Sequence, residues 1–118
     1  MARPIIGVDL GGTKILTALV EEGGRVLERV RIPTPASGPD AGIEAIAESV
    51  RTVVARSGID FRTVAGVGVG APGPLDPATG IVFEPPNLPG WREVPLGERL
   101  AGRLGVQVYV ENDANAAA

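Results

Sequence analysis

The chain has 118 residues, 44% of them hydrophobic, a size and composition that suit one globular domain with a buried core. There is no Cys and no His, which excludes a disulfide framework and the common ligands of structural zinc. The net charge is -3, and the basic residues, all Arg except Lys14, are scattered along the chain, so no footprint for a nucleic-acid backbone is present. The apolar runs are too short for a membrane span of about 20 residues or for a secretory segment. A cytoplasmic protein without nucleic-acid or membrane partners is expected.

In chain order, Ile5, Ile6, Val8 and Leu10 predict a buried strand that ends at Gly11-Gly12. Strand-like runs follow over 15–20 and 26–32, joined at Glu22-Gly23-Gly24-Arg25, where a Gly-Gly centre tolerates the positive φ of a two-residue hairpin. After Pro33, Pro35 and Pro39, the spacing of Ile43, Ile46, Ala47, Val50, Val53 and Val54 predicts a helix, capped by Ser37 or Asp40 and ended by Gly58. A fourth strand is expected over 64–69, then a Pro/Gly-rich stretch and a short strand over 81–83. Leu96, Leu100 and Leu104 recur at helical spacing between Pro95 and Gly105. Val106, Val108 and Val110 alternate in a last strand, and a further helix begins at Ala114. The order of elements predicts an α/β fold, a mixed sheet of about five strands with helices packed on it.

Three segments carry chemistry. In Asp9-Leu10-Gly11-Gly12-Thr13-Lys14, the missing Cβ atoms let backbone N–H groups of Gly11, Gly12 and Thr13 approach phosphate oxygens. Thr13 adds a hydroxyl and Lys14 a charge, while Asp9 can hold Mg²⁺ through water. The same residues also suit a plain hairpin turn. Gly68, Gly70 and Gly73 formally match a dinucleotide fingerprint, but Pro72, Pro74 and Pro77 forbid the helix that must follow it. A better reading has the glycines of this strand allow tight packing and Ala71-Pro72-Gly73-Pro74 form a rigid wall beside a ligand. Glu111-Asn112-Asp113 sits at a strand's carboxyl end, where α/β sheets bind ligands. Asp113 can accept a hydroxyl proton during phosphoryl transfer and Asn112 can bond neighbouring hydroxyls. Alternatively, Asn112 or Asp113 only caps the next helix.

Taken together with Pro86-Asn87-Leu88, Trp91 and the run from Glu111 to Ala118, these segments resemble the start of bacterial glucokinases of the ROK family (repressors and sugar kinases). The resemblance runs in order over essentially the whole chain. It implies an actin-like, ribonuclease-H-like lobe, ATP with Mg²⁺, and phosphorylation of a hexose, glucose foremost, at its 6-hydroxyl, the entry reaction of glycolysis. Carried over, Gly11, Gly12, Thr13 and Lys14 meet ATP phosphates and Asp9 lies near the metal. Asp113 is the general base, and Asn112, Asn87, Gly73 and Asp113 hold the sugar. Residues 1–118 are then the N-terminal lobe, with the C-terminal lobe, its sugar motif and any zinc motif absent. The resemblance further implies a homo-oligomer at full length and a lobe that is inactive alone. Two other readings stand beside this one. A sugar-responsive repressor of the same family would need a DNA-binding module ahead of the first strand, for which the chain leaves no room. A non-catalytic actin-like nucleotide-binding protein would need the phosphate loop but not the sugar residues.

Overall fold

The computed structural model describes residues 3–113. Strands β1 (Ile5–Leu10), β2 (Lys14–Val20) and β3 (Val26–Pro33) form an antiparallel meander, followed by helix α1 (Pro39–Ser57) and a single 3₁₀ turn at Phe61–Thr63. Strand β4 (Val67–Ala71) returns to lie parallel to β1. After it come three two-residue strands, β5 (Leu75–Asp76), β6 (Ile81–Val82) and β7 (Val94–Pro95), which pair as a small separate sheet. Helix α2 (Leu96–Leu104) leads into β8 (Val108–Asn112), parallel to β4. The main sheet is mixed, in the order β3-β2-β1-β4-β8, as the element order predicts. The helix expected from Ala114, with Asn115 in it, lies outside the described residues.

Alternation sorts the sheet into two faces. Ile6, Val8 and Leu10 of β1, Ile15 and Leu19 of β2, Val67 and Val69 of β4 and Val110 of β8 are all buried. On that face α1 packs against β2 and β3, and α2 packs against β8. Each predicted apolar position of α1, from Ile43 to Val54, is in the core. Burial of such a side chain stabilises by about 1.5–3 kcal/mol, so this stripe and not helix propensity holds α1 in place. One polar contact crosses the same layer. The hydroxyls of Thr17 and Ser49 lie 2.8 Å apart, and Ser49 Oγ donates to the Ile46 carbonyl at 2.7 Å. The opposite face carries Ile5, Gly7 and Asp9 of β1, Leu16 of β2, Gly68 of β4 and Tyr109 of β8. No helix covers it among the described residues, and Ile5 and Tyr109 are 53% and 64% exposed.

Several local expectations change. Neither Ser37 nor Asp40 caps α1; Gly38 is the N-cap without a side-chain bond, and Pro39 opens the helix with its φ already set. Gly58 and Gly105 end the two helices in the left-handed conformation, at φ 77° and 69°. The Gly-Gly hairpin has its expected positive φ angles, but it is wider than two residues. Gly24 N donates to Glu21 O, Glu21 N to Arg25 O, and the β2–β3 register shifts at Leu19/Val20. Val64 caps the 3₁₀ turn, so β4 begins three residues later than periodicity predicts. Strand β8 likewise starts at Val108 and takes Glu111 and Asn112 into the ladder opposite Gly70 and Ala71. Of the glycines on β4, Gly68 is not there for tight packing, because an added Cβ would meet nothing within 4 Å.

Candidate functional site

Three parallel strands, β1, β4 and β8, end at one edge of the sheet. The register aligns Asp9 with Gly70 and Gly70 with Glu111, so one row across the sheet carries a carboxylate at each end and no side chain between. Beyond this row lie Gly11–Thr13 after β1, Pro72–Pro74 after β4, and Asp113 after β8. The tips of β1 and β8 are two strand spacings apart, about 10 Å. An open groove of about 1140 Å³ runs from these tips along the uncovered face, with Asp9, Gly70, Glu111 and Asp113 at its upper end.

The loop after β1 is both a turn and a candidate phosphate cradle. Gly11 N donates to Lys14 O at 3.0 Å, which closes the hairpin and uses the Gly11 N–H internally. The N–H groups of Gly12 and Thr13 have no acceptor among the described residues, so two of the three expected donors are left for a ligand. Thr34, just past β3, holds the loop from behind: its Oγ1 donates to Gly11 O at 2.7 Å and its N–H to Thr13 O at 2.9 Å. Sequence reasoning missed Thr34, which sits between Pro33 and Pro35 with no motif around it. Lys14 is exposed at the start of β2, on the same side of the strand as Leu16.

Close contacts tie the remaining candidates to this edge. A Cβ on Gly12 would lie 2.7 Å from the Asn87 carbonyl oxygen, 2.8 Å from its Cβ and 3.0 Å from its Nδ2. Gly12 does not have positive φ, so it is glycine because Asn87 packs on it and not because the backbone demands it. In the same way a Cβ on Gly73 would lie 2.8 Å from Asn112 Nδ2. The Gly73-Pro74 peptide is cis. Asn87 stands on a double turn, in which Leu88 N donates to Pro85 O and Trp91 N to Leu88 O, both at 3.2 Å. Leu88 and Trp91 are buried beneath it, the Trp91 ring lying against Gly42 of α1, where a Cβ would come within 2.6 Å of the ring. Sequence reasoning noted Trp91 but not Gly42, whose role needs the folded chain to be visible.

The structure thus brings Asp9, Gly11, Gly12, Thr13, Asn87, Gly73, Asn112 and Asp113 to one edge. Among the described residues no group of three acidic side chains could by itself hold a metal ion. Carboxylates in ones and twos with an open groove suit Mg²⁺, which keeps much of its water and is completed by phosphate oxygens. No described helix is long and apolar enough to cross a membrane.

A five-stranded mixed sheet of order β3-β2-β1-β4-β8, with a glycine loop after its first strand and an acidic tip on its last, defines a lobe of the actin-like, ribonuclease-H-like class. Residues 5–118 match the sequence model of the ROK family, and the chain belongs to that family. It is 44% identical over 113 residues to a glucokinase of Streptomyces coelicolor, covering 96% of this chain and 33% of the relative. Its fold is similar to the ROK hexokinase of Thermus thermophilus, with a TM-score of 0.88 at 39% identity, covering 98% of this chain and 37% of that one. It is also similar to a ROK family glucokinase of Streptomyces griseus in complex with glucose and AMPPNP, with a TM-score of 0.86 at 40% identity, covering 97% of this chain and 34% of that one. The chain spans about a third of the length of the curated relatives it matches.

Proposed function

We propose that the full-length protein carrying this chain transfers the terminal phosphoryl group of ATP to the 6-hydroxyl of a hexose, glucose foremost. One observation carries the reading: the phosphate loop and the Asn112-Asp113 tip share one edge of the sheet about 10 Å apart, a gap that a phosphoryl group and a hydroxyl fill. The glucose and AMPPNP bound by the Streptomyces griseus relative support the choice of ligands. The free N–H groups of Gly12 and Thr13 and the Thr13 hydroxyl donate to phosphate oxygens, while the Gly11 N–H keeps the turn closed. Lys14 adds positive charge beside the loop. Asp9 would hold Mg²⁺ through water, and the ion would supply neutralisation of the phosphate charge.

On the other side Asn112, Asn87 and Gly73 hold the sugar hydroxyls, and Asp113 bonds the hydroxyl that reacts. That oxygen forms a bond to the terminal phosphorus as the bond from phosphorus to the bridging oxygen breaks. ADP leaves, and the hydroxyl proton passes to the Asp113 carboxylate. Transition states of this kind are loose, so alignment of the two groups contributes more than the strength of the base. The 118 residues alone carry one wall of the cleft and are inactive.

The test is Asp113→Asn in the full-length protein. Turnover in a coupled assay with glucose is expected to fall by about 10²–10⁴, while glucose affinity stays within roughly an order of magnitude, because the shape remains and the proton acceptor is gone. Turnover that survives largely intact removes Asp113 from the role of base.

A further inference from the structure

We infer that Gly12 positions the hexose side of the site as well as serving the phosphate loop, and that nucleotide and sugar affinities are coupled through its contact with Asn87. The inference rests on the kinase reading above and deepens it. The two loops touch through backbone, which cannot swing aside as a side-chain end can. Contacts below 3.0 Å are ones a real Cβ does not make, and the nearest atom to a Cβ at position 12 is the Asn87 backbone oxygen, not the end of a flexible side chain. To relieve it, the turn over 85–88 or the phosphate loop must move as a unit. That turn is pinned from below by buried Leu88 and Trp91, the latter against Gly42. The phosphate loop is pinned from behind by Thr34. Because the phosphate loop bears directly on the Asn87 backbone, movement of that loop against the turn, or of the turn itself, shifts Asn87 relative to the Asn112-Asp113 tip, and coupling of this kind is reciprocal between the two ligands.

The experiment is calorimetric titration of the full-length protein with glucose, with a non-hydrolysable ATP analogue, and with glucose in the presence of saturating analogue, the change in glucose affinity giving the coupling. Gly12→Ala is expected to weaken glucose binding about tenfold or more with no nucleotide present and to shrink the change that the analogue makes in glucose affinity, which in the parent is about 5-fold or more. Asn87→Ala weakens glucose binding as well, and the double variant binds no worse than Asn87→Ala alone, because Gly12 acts on the sugar through Asn87. Gly102→Ala on α2, where an added Cβ meets nothing within 4 Å, is expected to bind both ligands as the parent does. Thr34→Val keeps the shape but removes the 2.7 Å bond to Gly11 O, and it is expected to weaken both ligands together. Normal glucose affinity in Gly12→Ala, or losses that add in the double variant, overturns the inference. Should Gly12→Ala not fold, Thr34→Val decides: loss of the analogue alone, with glucose unaffected, overturns it equally. If Asn87→Ala leaves glucose binding unchanged, Asn87 has no place on the hexose side, and that part of the kinase reading falls with the coupling. A lost coupling with Asn87→Ala still impaired leaves the kinase reading standing.

Discussion

At the scale of single residues, Gly12 has a structural reason to be glycine beside the phosphate-loop reading: Asn87 packs where its Cβ would be. The glycine pair was legible as a turn or a phosphate loop, but the crowding by Asn87 was not, because the two positions lie 75 residues apart and meet only after folding. Gly11 is the converse: its N–H, expected to face phosphate, closes the hairpin instead. Away from the site, Asp60 accepts from the Arg62 N–H at 2.9 Å and from its guanidinium at 2.7 Å. These bonds hold the Asp60 carboxyl down at about 2. Since the folded value is depressed, this ionised cap stabilises the 3₁₀ turn above the ordinary carboxylate range and its contribution is lost as pH falls through about 2. A carboxyl NMR titration is expected to place the Asp60 midpoint there, and Arg62→Ala to move it up towards the ordinary 3.8.

At the scale of elements, periodicity located α1 and α2 well, since a buried stripe repeats at 3.6 residues whatever lies opposite it. Strand ends were less legible. The start of β4 is set by the 3₁₀ turn before it, and β8 extends through Glu111 and Asn112 because Gly70 and Ala71 supply ladder partners for these polar residues. The two-residue strands of the small sheet were largely invisible for the same reason, as so short a run carries no period. The Trp91 anchor on α1 gives a direct test. Gly42→Ala should destabilise the chain by about 1–3 kcal/mol in denaturant unfolding, the usual effect of overpacking. Because Trp91 is the single Trp of the chain, its fluorescence emission should move to the red as the ring is displaced. Trp91→Phe in the same background should return part of the loss, since the smaller ring leaves room. Purely additive effects would mean that the two residues do not meet.

At the scale of the whole molecule, hairpin-joined strands followed by helical crossovers were enough to read the mixed sheet, because connection rules leave few alternatives. What composition and spacing did not reveal is that both described helices choose the same face. That leaves Ile5, Leu16, Val26 and Tyr109 exposed and the groove open along its length. In the proposed reading the two ligands are held in line between this lobe and a second one. In a coupled glucose assay the 118-residue chain is therefore expected to turn over roughly 10³-fold or more slowly than the full-length protein. Equal rates would show that one lobe suffices.

The order of strands has a further consequence for how such chains behave in company. β3 is outermost on its side, and an outermost strand offers unpaired backbone groups on which a neighbouring molecule can build. Here it carries Glu28, Arg29 and Arg31 and finishes at Pro33, which lacks an N–H. Charge and proline make that border a poor template for strand addition, so concentrated solutions should be protected there from sheet-to-sheet aggregation.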